Sequence, residues 1–280
     1  MTDAAQPTTP DAAELMRTAE QVAREAGELV RTAVAGSVAV ASTKSSGVDL
    51  VTEVDQAAEA LIRRRLAELR PQDGVLGEEE GWQAGSSGLV WVVDPIDGTT
   101  NFVYGLPNYS VSVAVARAEG EDPYGWELLA GAVHAPATGQ TWTAGRGLGA
   151  YAESERLTVG GPDSLATALV GTGFAYTADR RAGQARVLTE VLPRVRDIRR
   201  LGSAAMDLCL VAQGQLDVFY EQHLNPWDMA AGVLAVTEAG GVVERVGEGE
   251  EAVTVAGPPA LVAELLTVLR PLLEGPAGGV

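Results

Sequence analysis

Apolar residues recur at two different spacings in the first half of this chain. Spacings of three and four residues, typical of one face of a helix, occur over 11–33 and 54–69. A continuous apolar run at 89–93 predicts a buried strand. Strict alternation over 109–116 and 128–134 predicts two further strands, and Gly and Pro clusters separate them. We therefore expect an antiparallel meander, with another strand around 141–143.

The pattern changes beyond residue 160, where short apolar segments alternate with helical ones. No internal repeat is visible, and the change of pattern places a boundary near 150–160. We expect a layered α/β fold with a disordered leader at 1–10, an N-terminal α+β lobe at 11–155, a C-terminal α/β lobe at 156–272 and a loose tail at 273–280. The predicted strands are 169–171, 198–201, 218–220 and 253–256, and the predicted helices are 182–195, 204–213, 229–239 and 259–269.

Charge and composition narrow the classes of function. The chain has 38 acidic and 20 basic residues, and a formal charge of -18 argues against nucleic acid or an anionic membrane as partner. No apolar run approaches the ~20 residues that span a bilayer, and the chain does not open on a signal-peptide pattern. The single cysteine, Cys209, lies in an apolar stretch, where we expect a buried, inert thiol. A cytoplasmic location fits these features.

The densest polar motif, DPIDGTT, follows the predicted buried strand. Since proline cannot extend a central strand, we expect this strand to stop at Asp94, with Asp97 three residues further along a turn. Gly98 and Thr99 then open a predicted short helix, whose free N–H groups and dipole favour an anion. One turn would thus supply carboxylate oxygens and a phosphate cradle. The alternative is an Asp-Pro and Asp-Gly turn that binds no ligand.

Three other acidic or basic motifs carry less information when taken singly. Glu78 belongs to the run GEEE, which alone indicates a solvated loop, and Asp228 begins a predicted helix, where an acid stabilises the dipole. Asp55 follows a loop that contains Lys44, the only lysine among 20 basic residues. Either position 44 requires a compact ammonium group or the chain has a general bias towards arginine.

Together these four motifs resemble the inositol monophosphatase family of Mg2+-dependent, lithium-sensitive phosphatases. The segments GEE, WVVDPIDGTTNFVYGLP, LGSAAMDLCLVAQGQLDVFYE and WDMAAGVLAVTEAGG occur in the family's order, and the resemblance covers about 15–270. The segment around 171–205 is similar to actinobacterial inositol-1-monophosphatases. The resemblance implies a five-layer α/β/α/β/α sandwich of the sugar-phosphatase type, usually a homodimer.

The resemblance also implies two to three Mg2+ ions in each active site. Glu78, Asp94 and the carbonyl of Ile96 would hold the first ion. Asp94, Asp97 and Asp228 would hold the second, and Glu78 would contribute to a weaker third. Hard oxygen ligands that leave water on the ion suit Mg2+. Two ions would serve the two ends of an in-line displacement.

The remaining implied roles concern water and substrate. Gly98 and Thr99, beside Asp97, would hold the phosphate. Thr99 and Asp55 would orient or deprotonate the attacking water near Glu78, and Lys44 would lie beside the metal site. The alcohol part would contact four residues, Gly202, Ser203, Ala204 and Glu221. The family often has His-Cys where this chain has Asn225-Pro226, which affects the substrate rim only.

Our leading hypothesis is hydrolysis of a small phosphorylated polyol, inositol 1-phosphate, to inositol and phosphate. The alternatives are histidinol phosphate, a sugar bisphosphate, a 3'-phosphorylated nucleotide, or a non-catalytic regulator on the same fold. Glu221 favours a polyol or an alcohol that carries an ammonium group, and we expect no basic cluster near it that would bind a second phosphate. No G-x-x-x-x-G-K-[ST] loop is present, and His134 and His223 lack the spacing of a zinc site.

Overall fold

Two long helices open the computed structural model, which describes residues 11–40 and 47–273. Helix α1 spans Ala12–Val40, and Asp11 caps it, since the Ala13 N–H donates to its Oδ1 at 3.0 Å. Helix α2 spans Gly47–Leu69. Helix α1 ends later than predicted and α2 begins earlier. Neither added segment contains a proline, the residue that most strongly stops a helix. The expected leader at 1–10, the tail from 274 and Lys44 lie outside the described residues.

An eight-stranded sheet follows, in the order β2-β1-β3-β4-β5-β6-β7-β8. Strands β3 to β8 pair antiparallel with their neighbours, which confirms the predicted meander, whereas β1 and β3 are parallel. The strands are β1 Gly74–Gly77, β2 Gly81–Gln83, β3 Leu89–Asp97, β4 Ser110–Arg117, β5 Glu127–Ala135, β6 Gln140–Gly145, β7 Gly149–Ala152 and β8 Glu155–Arg156.

Strand β3 continues through Pro95 to Asp97, so the prediction that it stops at Asp94 is wrong. Asp94 lies opposite Ser112 and Asp97 opposite Ser110, so three steps along β3 match two along β4. This β-bulge accommodates the proline, because it leaves a residue outside the hydrogen-bond ladder. Residues three apart in a regular strand face opposite sides of the sheet. The extra residue of the bulge therefore brings Asp94 and Asp97 to the same side.

A second, five-stranded sheet has the order β10-β9-β11-β13-β12. Four of its strands were predicted within a few residues, but β12 was not, because its VVERV sequence is only half buried and carries two charges. The strands are β9 Leu169–Thr172, β10 Asp197–Arg199, β11 Val218–Gln222, β12 Val242–Val246 and β13 Val253–Gly257. The other helices are α3 Thr99–Tyr104, α4 Ala178–Val191, α5 Ala204–Ala212, α6 Pro226–Glu238 and α7 Pro259–Leu273.

The helices and sheets stack in five layers. Helices α1 and α2 cover the outer face of the first sheet, and α4 and α7 lie on the outer side of the second. Helices α5 and α6 lie between the sheets in a core that both sheets share, where Leu208, Cys209 and Phe219 have no exposed surface. The fold is therefore the expected α/β/α/β/α sandwich. The thiol of Cys209 is buried as predicted, and burial raises its pKa far above the usual range. Within the described ranges, no helix combines the length and apolar character needed to cross a membrane.

Because α5 lies in the core that both sheets share, a cavity in α5 should lower the free energy of unfolding substantially. Leu208→Ala should lower the free energy of unfolding by about 2–5 kcal/mol, because it removes buried methyl groups from a packed layer. Urea unfolding followed by circular dichroism measures this change. Leu210→Ala, on the same helix but only partly buried, is the matched control and should cost clearly less. Equal losses for the two variants would contradict a core centred on the α5–α6 layer.

Candidate active site

Three aspartates from two elements converge between the sheets. Asp94 and Asp97 come from the bulged end of β3, and Asp228 lies in the first turn of α6. Each offers a carboxylate oxygen within 4.8 Å of those of the other two. Asp94 is only 1% exposed and Asp97 only 9%. The bulge is what makes this cluster possible, since it turns both β3 carboxylates towards α6.

Glu78 joins this cluster because β1 and β3 are parallel. Gly77, the last residue of β1, pairs with Val93, so the next residues of the two strands, Glu78 and Asp94, emerge side by side. Glu78 is exposed, lines the same cleft as Asp94 and raises the pKa of Asp94 through its charge, although the three aspartates alone form the tight group of carboxylate oxygens. The GEEE run is therefore a turn directed at the acidic cluster, and not only a solvated loop.

The turn that carries Glu78 is held by Glu59, a residue that the sequence analysis did not single out. Glu59 is fully buried, and its carboxylate accepts hydrogen bonds from the N–H groups of Glu79 at 2.8 Å and Glu80 at 3.0 Å. Arg63, one helical turn later on α2, pairs with it at 2.8 Å. The sequence offered one signal for this pair, since a Glu and an Arg four residues apart on a helix can form an ion pair.

Hydrogen bonds fix the orientation of each aspartate. Asp97 Oδ2 accepts from the Ser203 hydroxyl at 2.6 Å and from the Ala205 N–H at 2.7 Å, which leaves Oδ1 for a ligand. Asp94 Oδ1 accepts from the Ile96 N–H at 3.0 Å. Asp228 Oδ2 accepts from the Asn225 N–H at 2.7 Å, as expected of an acid in the first helical turn.

Gly98 forms the turn between the acidic cluster and α3. Its φ is +94°, and an added Cβ would lie 2.8 Å from the carbonyl oxygen of Asn108 and 3.0 Å from that of Gly202. Only glycine fits here without strain. The first N–H groups of α3, at Gly98 and Thr99, have no partner within the helix, and both residues line the cleft. The start of α3 therefore lies at the cleft beside the carboxylates, and its role as an anion cradle stays a prediction.

Asp55 lies near the acidic cluster but is not joined to Thr99. It sits on α2, buried, and its Oδ1 has no hydrogen-bond partner among the described residues. Burial raises its pKa to about 8, with further contributions from Glu79 and Glu78. The Thr99 hydroxyl instead donates to the carbonyl of Ile96 at 2.9 Å. This bond occupies one side of the carbonyl that was expected to hold an ion.

Most of the residues expected to contact the alcohol lie at the same open cleft as the acidic cluster. Gly202, Ala204 and Glu221 line it. Ser203 is 1% exposed and directs its hydroxyl to Asp97, so it supports the acidic cluster from behind. Glu221, on β11, packs against Gly173, where an added Cβ would lie 1.9 Å from its Oε1. Position 173 must therefore lack a side chain if Glu221 keeps this place.

The cleft also contains residues that the sequence analysis missed. The expectation that no basic cluster lies near Glu221 is wrong, because two arginines, Arg180 and Arg200, line the same cleft. Tyr176 and His223 line it as well, from loops that no helical or strand periodicity marks. His134, in contrast, is buried in β5, where its Nδ1 contacts the Thr141 hydroxyl at 2.8 Å.

Electrostatics in the cleft favour a cation. Burial, then Glu78, Asp97 and Asp228, raises the pKa of Asp94 well above its usual value. Burial also raises the pKa of Asp228 to about 8 and that of Glu78 to about 7. Asp97 stays lower, at about 6, because Ser203 and the N–H groups of Ala205 and Ala204 offset its burial. Clustered hard oxygens that repel one another suit a divalent ion such as Mg2+.

The layered sandwich and its acidic cleft define the protein as a phosphatase. The model of the inositol monophosphatase family matches residues 11–270, and the chain belongs to this family. It is 44% identical, over an alignment of 283 positions with gaps, to the inositol-1-monophosphatase of Mycobacterium leprae, covering 93% of this chain and 94% of the relative. The solved structure of Mycobacterium tuberculosis SuhB matches with a TM-score of 0.80 and 42% identity, over 94% of this chain and 98% of that one.

Another relative has a name of a different kind. The Nus factor SuhB of Pseudomonas aeruginosa is 37% identical over 269 aligned residues, covering 92% of this chain and 97% of the relative. Proteins named for an enzymatic activity and proteins named as a Nus factor thus both resemble this chain over nearly its full length.

The raised pKa values predict how stability depends on pH. Carboxylates with pKa values of about 6 to 8 in the folded state and near 4 when unfolded bind more protons in the folded state. The free energy of unfolding should therefore rise as pH falls from about 8.5 to about 6. Thermal melts of the protein in EDTA measure this trend. A Tm that falls over the same range would contradict the electrostatic picture, and a saturating divalent cation should flatten the slope.

Proposed function

We propose that the protein hydrolyses a small phosphate monoester with the help of Mg2+, and that inositol 1-phosphate is its substrate. The observation that carries this proposal is the set of three carboxylates within 4.8 Å of one another, beside a helix that starts at Thr99. A divalent cation between these carboxylates and a phosphate at the start of α3 would balance the negative charge of both. The names of the inositol-1-monophosphatase relatives support the choice of substrate.

In this proposal Glu78, Asp94 and the Ile96 carbonyl hold a first ion, and Asp94, Asp97 and Asp228 hold a second. Glu78 also contributes to a weaker third ion. We assign Asp94 to both ions for two reasons. It is the most buried of the three aspartates, and the charges of both Glu78 and Asp228 act on it. When bound, Mg2+ would neutralise phosphate charge, lower the pKa of the attacking water and stabilise the leaving oxygen.

The protein's own groups would position the substrate and the water. The N–H groups of Gly98 and Thr99 donate to phosphate oxygens, and the α3 dipole reinforces them. Asp55, whose pKa of about 8 leaves it able to exchange a proton near neutral pH, takes the proton of the water near Glu78, with Thr99 helping to orient it. Lys44, outside the described residues, is proposed to add positive charge beside the phosphate.

The alcohol part would lie between α5 and β11. Glu221 accepts hydrogen bonds from substrate hydroxyl groups, and the small side chain of Ala204 leaves room for a ring. The missing side chain of Gly202 makes room for Arg200 and Asn101, whose nitrogen atoms would lie 2.5 Å and 2.7 Å from a Cβ there. Glu221 is not part of the tight group of cation-binding carboxylates, so we assign it to recognition, although the charges of Asp97 and Asp228 reach it and raise its pKa. We also propose a homodimer, a cytoplasmic location, and lobes at 11–155 and 156–272, all as the sequence analysis implied.

A regulatory role without catalysis is the second candidate, since one relative is named a Nus factor. The intact set of cation ligands, cradle and pocket residues favours catalysis, because a binding protein has no need for mutually repelling buried carboxylates. Phosphate release from inositol 1-phosphate, histidinol phosphate and a 3'-phosphorylated nucleotide, with and without Mg2+, tests the choice. Absence of Mg2+-dependent phosphate release from every ester would reject the phosphatase proposal.

Asp94→Asn tests the cation site with two independent readouts. We expect kcat to fall by several orders of magnitude, because one ligand would be lost from two ions. The Tm without metal should hold or rise, since the variant removes a repelled buried charge. The gain in Tm on adding Mg2+ should shrink strongly. Asp163→Asn, an exposed aspartate outside the cleft, is the control. Unchanged kcat at saturating Mg2+ would refute the bridging role of Asp94.

Glu221→Gln tests substrate recognition. Charge-assisted hydrogen bonds are worth roughly 1.5–3 kcal/mol each, so kcat/KM for inositol 1-phosphate should fall about 10- to 100-fold. The loss on p-nitrophenyl phosphate, which has no hydroxyl groups, should be much smaller. Glu244→Gln on the exposed part of β12 is the charge-matched control. Equal losses on both esters would mean that Glu221 supports the cation site instead.

A further inference from the structure

The carboxylates proposed to hold cations are supported from two different parts of the fold. The three aspartates form a tight group, and their hydrogen bonds come from β3 itself and from the starts of α5 and α6. Glu78 is exposed and lies outside this group, on the turn between β1 and β2. The position of Glu78 therefore depends on what holds this turn.

Glu59, on α2, holds the turn on both sides of Glu78. Its side chain has no exposed surface and lies against Gly77, where an added Cβ would be 2.3 Å from Glu59 Oε1. Its carboxylate also accepts from the N–H groups of Glu79 and Glu80, the two residues that directly follow Glu78. One buried carboxylate thus contacts the backbone immediately before and immediately after a proposed cation ligand.

Arg63 extends this support from the next turn of α2. It pairs with Glu59 at 2.8 Å, and its Nη2 donates to the carbonyl of Gly81 at 2.7 Å. Only 10% of the Arg63 side chain is exposed, so neither member of the pair moves freely in solvent. The pair therefore spans the turn from 77 to 81, and it makes no contact with the bonds that orient the three aspartates.

We propose that Glu59 and Arg63 are positioning residues for Glu78, and that they set the affinity of the cations that Glu78 helps to hold without changing that of the cation held by the three aspartates. This inference rests on the proposed function and assigns separate supports to its cations. Residues that orient a metal ligand typically change metal affinity 10- to 100-fold when they are replaced. A ligand on an exposed turn benefits most, because an unsupported turn would have to be ordered each time an ion binds.

Calorimetric titration with Mg2+, without substrate, measures the cation affinities directly. Glu59→Gln should weaken binding of the Glu78-dependent ions about 10- to 100-fold and leave the other ion unaffected. In a Glu78→Gln background the same substitution should have no further effect, because its influence passes through Glu78. The Mg2+ concentration that gives half-maximal phosphate release should rise in Glu59→Gln, while kcat at saturating Mg2+ should recover.

Two further variants separate positioning from the simple effect of charge. Glu59→Gln removes a negative charge and Arg63→Gln a positive one, so charge alone predicts weaker Mg2+ binding in the first and tighter binding in the second. Positioning predicts weaker binding in both. Glu59→Asp keeps the charge but has a shorter reach to the turn, and it should also weaken binding. It carries the test if Glu59→Gln does not fold.

Asp73→Asn is the matched control, because Asp73 forms a similarly buried ion pair with Arg70 at 2.8 Å. Asp73 directly precedes β1, whereas Glu78 directly follows it. Asp73→Asn should lower Tm, as the loss of a buried pair does, and leave Mg2+ binding unchanged.

Two results would overturn this inference and leave the phosphatase proposal intact. They are wild-type Mg2+ binding in Glu59→Gln, and binding in Arg63→Gln that is as tight as in the wild type or tighter. A failure of the wild-type protein to release phosphate from any of the esters with Mg2+ would reject the proposed function instead.

Discussion

The hydrogen bonds accepted by Asp97 connect the two halves of the molecule at the cleft. Its Oδ2 binds the hydroxyl of Ser203 and the N–H of Ala205, so the end of β3 in the first sheet is attached to the first turn of α5. Because α5 packs on both sheets, this contact sets where the carboxylates of one sheet face the pocket residues of the other. The same bonds keep the pKa of Asp97 lower than those of its neighbours, so it carries charge when they do not.

The carboxylates of the acidic cleft destabilise the fold locally, and packing around the cleft offsets this cost. Burial and mutual repulsion disfavour the ionised forms of Asp94 and Asp228, and the backbone bonds from Ile96 and Asn225 offset only part of this cost. The packed layer of α5 and α6 supplies apolar burial around the site, which compensates for the repulsion. This arrangement favours cation binding, because a bound cation would offset the repulsion between the carboxylates.

The layered fold and the carboxylates could be predicted because their signals are local. Helical and strand periodicities marked most elements, and DPIDGTT placed acids and a glycine together in seven residues. The bulge at Pro95 could not be read from the same motif, since its unpaired residue is defined only by the register against β4. Arg200 was missed for a similar reason, since no spacing rule identifies which of several arginines faces a cleft. The spacing of Glu59 and Arg63 was visible in the sequence, but the bonds from Glu59 to the turn at 79–80 were not, because they join distant parts of the chain.

The contact between Gly173 and Glu221 has an evolutionary consequence. The carboxylate of Glu221 occupies the space that a side chain at position 173 would need, so even alanine there would displace it into the cleft. Position 173 directly follows β9, and neither β9 nor this position contributes a residue to the acidic cluster. One nucleotide change at this codon could therefore alter which alcohols fit while the phosphate half is left untouched. A lineage with this architecture can diversify its substrates in small steps without first losing its chemistry.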